Sequence, residues 1–161
     1  MKKIICAFLS LVLLCSCSDT KGIKVQKENI GFRAHIFCAS GEYLCDFYFY
    51  ENSEVSVSIN SGSLNGFKAF VRGEDIVLSF MGKESKRKVM EMENSVFAPI
   101  IYAFDYLKGN SYKVEEKDNS YFLFGESRIG KFKMYLAPTG IPIGVEYESN
   151  GFSSEFYDVT T

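Results

Sequence analysis

From Phe32 onward, apolar and polar residues alternate in short runs that are broken by Gly, Asn or Asp. Breaks of this kind about every 8–12 residues are the signature of antiparallel β-structure. Val55, Val57 and Ile59 alternate with serines, Asn65-Gly66 turns the chain into Phe67, Ala69 and Val71, and Gly73-Glu74 turns it into Ile76, Leu78 and Phe80. Asp118-Asn119 separates Tyr112–Glu116 from Tyr121–Phe124, and Phe132, Met134 and Leu136 alternate against Lys131, Lys133 and Tyr135. Asn150-Gly151, suited to the positive φ angles of a tight hairpin turn, joins Ile143, Val145 and Tyr147 to Phe152 and Phe156. About nine or ten strands follow from this pattern.

One segment breaks it. Phe97, Ile100, Ile101, Phe104 and Leu107 recur at helical spacing, with Tyr102, Asp105 and Lys108 on other faces. Pro99 sits where a missing N–H costs least, and Gly109 where a C-terminal cap belongs, so a helix is predicted over about residues 95–108. A helix with so apolar a stripe must bury it, and the sheet is the partner at hand. Phe47 and Phe49 lie opposite Tyr48 and Tyr50 in alternation, and Phe122 and Phe124 lie opposite Tyr121 and Leu123. Strands apolar on both faces are covered twice or line something apolar. The expected architecture is mostly β (α+β), a strongly curved antiparallel sheet or half-barrel wrapped around one central helix. Two stacked sheets with the helix capping one end is the alternative.

The N-terminus has its own logic. Met1, Lys2 and Lys3 precede the apolar run from Ile4 to Leu14, which reads as a secretory signal peptide. The run is about half the roughly 20 residues that a membrane-spanning helix needs. Leu14-Cys15-Ser16-Cys17, with Leu three residues before Cys17 and small residues between, resembles the export signal of bacterial lipoproteins. That resemblance implies cleavage before Cys17 and a thioether-linked diacylglycerol on it. Cys15 is the competing candidate, with the bulkier Leu14 directly before it. Two acyl chains suffice for stable anchoring. The expected organisation is a signal peptide over 1–16, lipidated Cys17 with a polar tether over 17–30, and one β domain over 31–161. The expected location is the extracytoplasmic face of the cell membrane. The polar stretch from Ser18 to Asn29, as a free tether, reaches roughly 40 Å at most.

Losing Lys2 and Lys3 with the signal takes the formal charge from −2 to −4. A mildly acidic domain with no long basic stripe offers little to nucleic acid, so no nucleic-acid partner is expected. Lys83-Glu84-Ser85-Lys86-Arg87-Lys88 is the densest basic cluster and reads as a polar loop before the helix. Cys38 and Cys45 remain in a compartment that permits a disulfide. A four-residue loop at Ser40–Tyr43 would place them opposite one another, whereas a tight Ser40-Gly41 turn would set them diagonal and too far apart to bridge. Both alternatives stay open, the second leaving two small buried hydrophobes.

No catalytic residue is assigned. His35, the single histidine, alternates onto the face opposite Cys38, which disfavours a Cys-His pair. Two cysteines and one misdirected histidine make no metal site, and no Gly-rich phosphate loop precedes a helix, so neither metal nor cofactor is expected. Glu42, Asp46, Glu51, Glu54, Glu74 and Asp75 fall in turns or on polar faces. An envelope hydrolase that works through such surface carboxylates is the runner-up function. Fifteen Phe and ten Tyr remain to be explained. They fill a β core or line an apolar cavity, and Phe97, Ile100, Ile101 and Phe104 are the candidate cavity wall.

A lipid-modified cysteine, a short tether, antiparallel strands, one apolar mid-chain helix and further strands together resemble the LolA/LppX-type lipoprotein fold, a half-open β-barrel around a helical plug. Ile59–Val71 followed by Ile76–Phe80, and Leu136-Ala137-Pro138-Thr139-Gly140-Ile141-Pro142-Ile143 before the last hairpin, carry the likeness, which spans about Phe32 to Asp158. Within that group the chain is similar to small GerS-like germination lipoproteins of spore-forming anaerobes. The resemblance implies a non-enzymatic, membrane-anchored binding module. It would act as a scaffold that stabilises a peptidoglycan-processing envelope protein, or hold a lipid-like ligand between sheet and helix.

Overall fold

The computed structural model describes residues 22–149 and 151–161. Six strands form a first meander: β1 (Ile30–Cys38), β2 (Gly41–Phe49), β3 (Val55–Ile59), β4 (Phe67–Arg72), β5 (Asp75–Phe80) and β6 (Lys83–Lys88). A 3-10 turn at Val89–Met92 leads to the helix α1 (Ala98–Gly109). A second meander follows, β7 (Glu115–Lys117), β8 (Ser120–Ser127), β9 (Gly130–Leu136), β10 (Pro142–Tyr147) and β11 (Phe152–Thr160). Antiparallel pairing of β1 with β11 joins the meanders into one open sheet of order β6-β5-β4-β3-β2-β1-β11-β10-β9-β8-β7. This is the mostly-β, curved antiparallel half-barrel around one helix that the alternation predicts.

The extra strand is β6. Its residues, read as a polar loop, pair along their whole length with β5, from Asp75–Lys88 to Phe80–Lys83. The hairpin turns at Met81-Gly82, both with positive φ (52° and 76°). Such a pair of angles matches the twist of flanking strands, but Met is a rare residue for it and gives little warning in the sequence. Six largely charged residues suit a sheet edge, because charged side chains discourage pairing with foreign strands. The other edge, β7, is three residues long and fully exposed.

The core lies on the concave face. Ile30, Phe32, Ala34 and Ile36 of β1, Cys45, Phe47 and Phe49 of β2, and Val55, Val57 and Ile59 of β3 are all buried. α1 lies in this concavity and is buried on most sides, from Ala98 through Phe104 and at Leu107, with Asp105 exposed. Phe104 stacks on Phe49 at 4.1 Å and on Phe32 at 5.6 Å, and Phe32 stacks on Phe156 of β11 at 4.2 Å. The helix thus welds the β1–β11 seam where the meanders meet.

Its ends differ from expectation. Ser95 and Ala98 close two successive turns, Ser95 N–H to Met92 O at 2.8 Å and Ala98 N–H to Ser95 O at 3.2 Å, so α1 begins three residues late. Gly109 lies inside the last turn. The cap is Asn110, whose backbone N–H and Nδ2 both donate to Tyr106 O, at 3.1 and 3.0 Å. Ile143, expected inward with Val145, is 44 % exposed because the β9–β10 register shifts between Pro142 and Gly144. β10 and β11 are joined by a four-residue connection between Tyr147 and Phe152, of which Asn150 lies outside the described residues.

The stretch expected to be a free tether is docked well before Asn29. Val25 is 2 % exposed, Gln26 N–H donates to Gly140 O at 3.0 Å, and Lys27 Nζ donates to Leu107 O at 2.9 Å, capping the helix C-terminus. Gly140, at φ 86°, has Lys24 O packed where a Cβ would project, so a side chain there would push the strap away. A buried valine among lysines carries too little periodicity to be read as core from sequence.

Candidate functional site

Cys17 and the signal segment lie outside the described residues. Among the described residues no helix is long and apolar enough to cross a membrane, and no group of three or more His, Cys, Asp or Glu side chains is placed to hold a metal ion.

The turn between β1 and β2 settles the two cysteines. Cys38 pairs with Gly41 and Cys45 with Ala34, so Ala39-Ser40 form a two-residue turn and four residues of strand separate the thiols. That is about 13 Å along the ladder, far beyond disulfide reach. Both are free. Cys45 is fully buried, which pushes its thiol pKa up to about 12 and keeps it inert. Cys38 Sγ lies 3.2 Å from Ser40 Oγ. His35 is part-exposed on the convex side, against Phe37 at 4.2 Å and Glu42 Oε2 at 3.4 Å, and does not approach either cysteine's face.

Phe97, Ile100, Ile101 and Phe104 are brought together as core, exposed by 2, 0, 4 and 0 %. Phe97 stacks on Phe67 at 6.2 Å and Phe104 on Phe49. Tyr147 ties the strands to the helix start: its hydroxyl donates to Pro99 O at 3.0 Å and lies 3.0 Å from Ser127 Oγ, and burial pushes its pKa up to about 12. At the other end of the helix, Lys108 Nζ is buried with no hydrogen-bond partner, and desolvation lowers its pKa against the opposing pull of Asp105 and Glu28.

The convex face has no mark in the sequence beyond its aromatic alternation. Over β11, β1, β2 and β3 it carries a shallow groove of about 330 Å³, with Arg33, Asp46, Tyr48, Ser56, Ser58 and Asp158 among its walls. Gly31 makes the floor: a Cβ there would meet Tyr48 Cδ2 and Thr160 Oγ1, each at 2.9 Å. In the β1–β11 ladder, Gly31 pairs with Thr160 but Arg33 with Tyr157, so Phe32 stands opposite both Asp158 and Val159. This bulge puts Asp158 at φ 53° and brings its Oδ2 to 3.4 Å from Arg33 Nη1. Arg33 Nε donates to Asp46 Oδ1 at 3.0 Å, which raises the guanidinium pKa, and Asn60 Nδ2 donates to Asp46 Oδ2 at 2.6 Å. Neither the bulge nor the glycine floor has a sequence signal, since both depend on which strand lies beside β1.

No protein-family profile and no curated protein matches this sequence. Among solved structures, an uncharacterized conserved protein from Thermus thermophilus is similar with a TM-score of 0.51 and 11 % identity, over 83 % of this chain and 80 % of that one. This likeness shows the fold, an open antiparallel half-barrel. A LolA superfamily protein from Nitrosomonas europaea matches with a TM-score of 0.47 at 12 % identity, over 86 % of this chain and 88 % of that one. The Mycobacterium tuberculosis lipoprotein LppX matches with a TM-score of 0.39 at 9 % identity, over 80 and 85 %.

Proposed function

We propose that this protein is a membrane-anchored lipoprotein of the cell envelope that acts as a non-enzymatic binding module, and specifically as a scaffold for an envelope protein of the peptidoglycan-processing kind. The observation that carries the choice of scaffold over ligand holder is Phe104, which at 0 % exposure fills the concavity between Phe32, Phe49 and Phe156. Close-packed cores leave few voids larger than a water molecule. The work of binding then falls to the convex face and the sheet edges.

Lipidated Cys17 supplies the anchor in this reading. Because the chain is docked from Val25, seven residues separate Cys17 from the domain, eight chain steps and a reach of about 26 Å. Metabolic labelling with a clickable palmitate tests the anchor: Cys17→Ala should abolish incorporation, and unchanged labelling overturns the assignment. Native mass spectrometry of the detergent-purified chain tests the scaffold reading. A mass equal to the diacylated chain alone is the expected result; a second, stoichiometric lipid adduct would establish the ligand holder instead.

A further inference from the structure

The convex groove is laid out in two cross-strand rows. Thr160, Gly31, Tyr48 and Ser56 stand side by side across β11, β1, β2 and β3, and the register continues to Phe70 of β4. In the next row, Tyr157 and the bulged Asp158 are followed by Arg33, Asp46 and Ser58, continuing to Lys68. One row therefore sets the Tyr48 ring between the hydroxyls of Thr160 and Ser56, the other carries the ion pairs of Arg33 with Asp46 and Asp158, and both rows of the trough cross the strands. We infer that this trough is a binding site for a β-linked glycan strand, with pyranose faces on Tyr48 and ring hydroxyls on Arg33, Asp46 and Asp158.

Four features point to that chemistry. Sugar rings are amphipathic, with a C–H face that packs on an exposed aromatic ring and an edge of hydroxyls, and the two rows offer these two partners. Tyr48, the ring in the groove wall, is 38 % exposed, half-open rather than core. The polar wall is preset: Arg33 is held by Asp46 and Asp158, and Asp46 by Asn60, so each carboxylate keeps lone pairs for a hydroxyl donor without reorganisation. The charges also balance. Arg33 and Lys68 offset Asp46 and Asp158 along this row, which favours a neutral, hydroxyl-rich chain over nucleic acid or an anionic headgroup. Finally, the pitch fits: strands repeat every about 4.8 Å along the rows, close to the length of one pyranose, so successive strands meet successive sugars of a chain laid along them. The β-bulge at Asp158 is the kind of feature that re-aims a side chain beside a site.

This inference takes only the source of the glycan from the envelope placement proposed above; the binding itself is measured in solution. The detergent-purified full chain is titrated with N-acetylchitotetraose, with cellotetraose and with peptide-free peptidoglycan glycan strands, reading calorimetry and tyrosine fluorescence. Saturable binding with Kd near or below about 1 mM to at least one glycan is expected, consistent with a shallow site. Comparison of the first two reports whether the acetamido group is read. Tyr48→Ala should weaken binding at least tenfold. Because that ring also covers Gly31, Ser58→Trp, which fills the trough from the solvent side, and Asp46→Asn must weaken it as well. Absence of saturable binding to all three glycans overturns the inference, as does binding that Ser58→Trp leaves unchanged. Binding of isolated stem peptides in place of the glycans overturns it too, and would make the trough a peptide site.

Discussion

The two faces of the same strands both carry aromatic rings and use them in opposite ways. On the concave face ring meets ring: Phe32 touches Phe47, Phe49, Phe104 and Phe156, and each of these is almost fully buried. On the convex face several rings meet a cation, while Tyr48 packs on Tyr50 at 4.5 Å. Lys133 Nζ lies 4.5 Å from the Tyr135 centroid and 6.0 Å from that of Phe124, Arg33 lies 5.8 Å from Tyr157, and Arg72 lies 5.8 Å from Phe70. Buried rings gain from leaving water, whereas half-exposed rings covered by a solvated cation keep one face available for a partner. Aromatic content alone therefore does not separate core from binding surface; what packs on each ring does.

The contrast breaks most visibly at Phe104. Phe104→Ala should lower unfolding free energy by about 3–5 kcal/mol in a denaturant titration, because the cavity opens at the seam between meanders. Phe124→Ala, at a ring 52 % exposed on the convex side, should stay within about 1 kcal/mol of the parent. Equal losses at the two sites would erase the distinction between the faces.

A second test concerns the strap. Gly140→Val should undock residues 22–29 and cost about 1–3 kcal/mol, since it combines an unfavourable positive φ with a clash against Lys24. Hydrogen exchange should report faster opening of the Gln26 amide, which otherwise bonds to Gly140 O. A parent-like rate at Gln26 would mean that the strap does not depend on this contact.

Smaller effects sharpen the core side of the comparison. Tyr147→Phe should cost about 1 kcal/mol at neutral pH through the lost bond to Pro99 O. Tyr147 is raised in the folded state, so its contribution is present below its unfolded value near pH 10 and is lost as pH rises toward about 12. Cys45 adds a like loss that begins near pH 9 and also runs toward about 12. Stability should therefore fall between pH 9 and 12 in the parent, and less steeply in Tyr147→Phe. Smallest of all, Lys108→Met should stabilise the chain by up to about 1 kcal/mol, because it removes a buried ammonium with no partner while keeping an apolar stem. A destabilised Lys108→Met would indicate that the ammonium has a partner in solution.

Much of the fold could be read directly. Alternation placed Phe32, Ala34 and Ile36 against Cys45, Phe47 and Phe49, and the helical spacing of Phe97 to Leu107 marked the plug, because burial on one face imposes its period on the sequence. The basic strand β6 escaped because an edge strand of charged residues has no buried face to leave a period. The docked strap escaped because one valine and two backbone carbonyls hold it. The disulfide question turned on a single-turn register, which moves a pairing by whole residues without changing composition.

Residue order by itself determined that this chain alternates into antiparallel strands around one apolar helix, since those periods are local and written in neighbouring residues. Only the tertiary structure decided which strands close the seam. The pairing of β1 with β11 joins residues about 120 apart in sequence; it creates the bulge at Asp158 and, with β2 and β3 on the other side, closes the trough over Gly31.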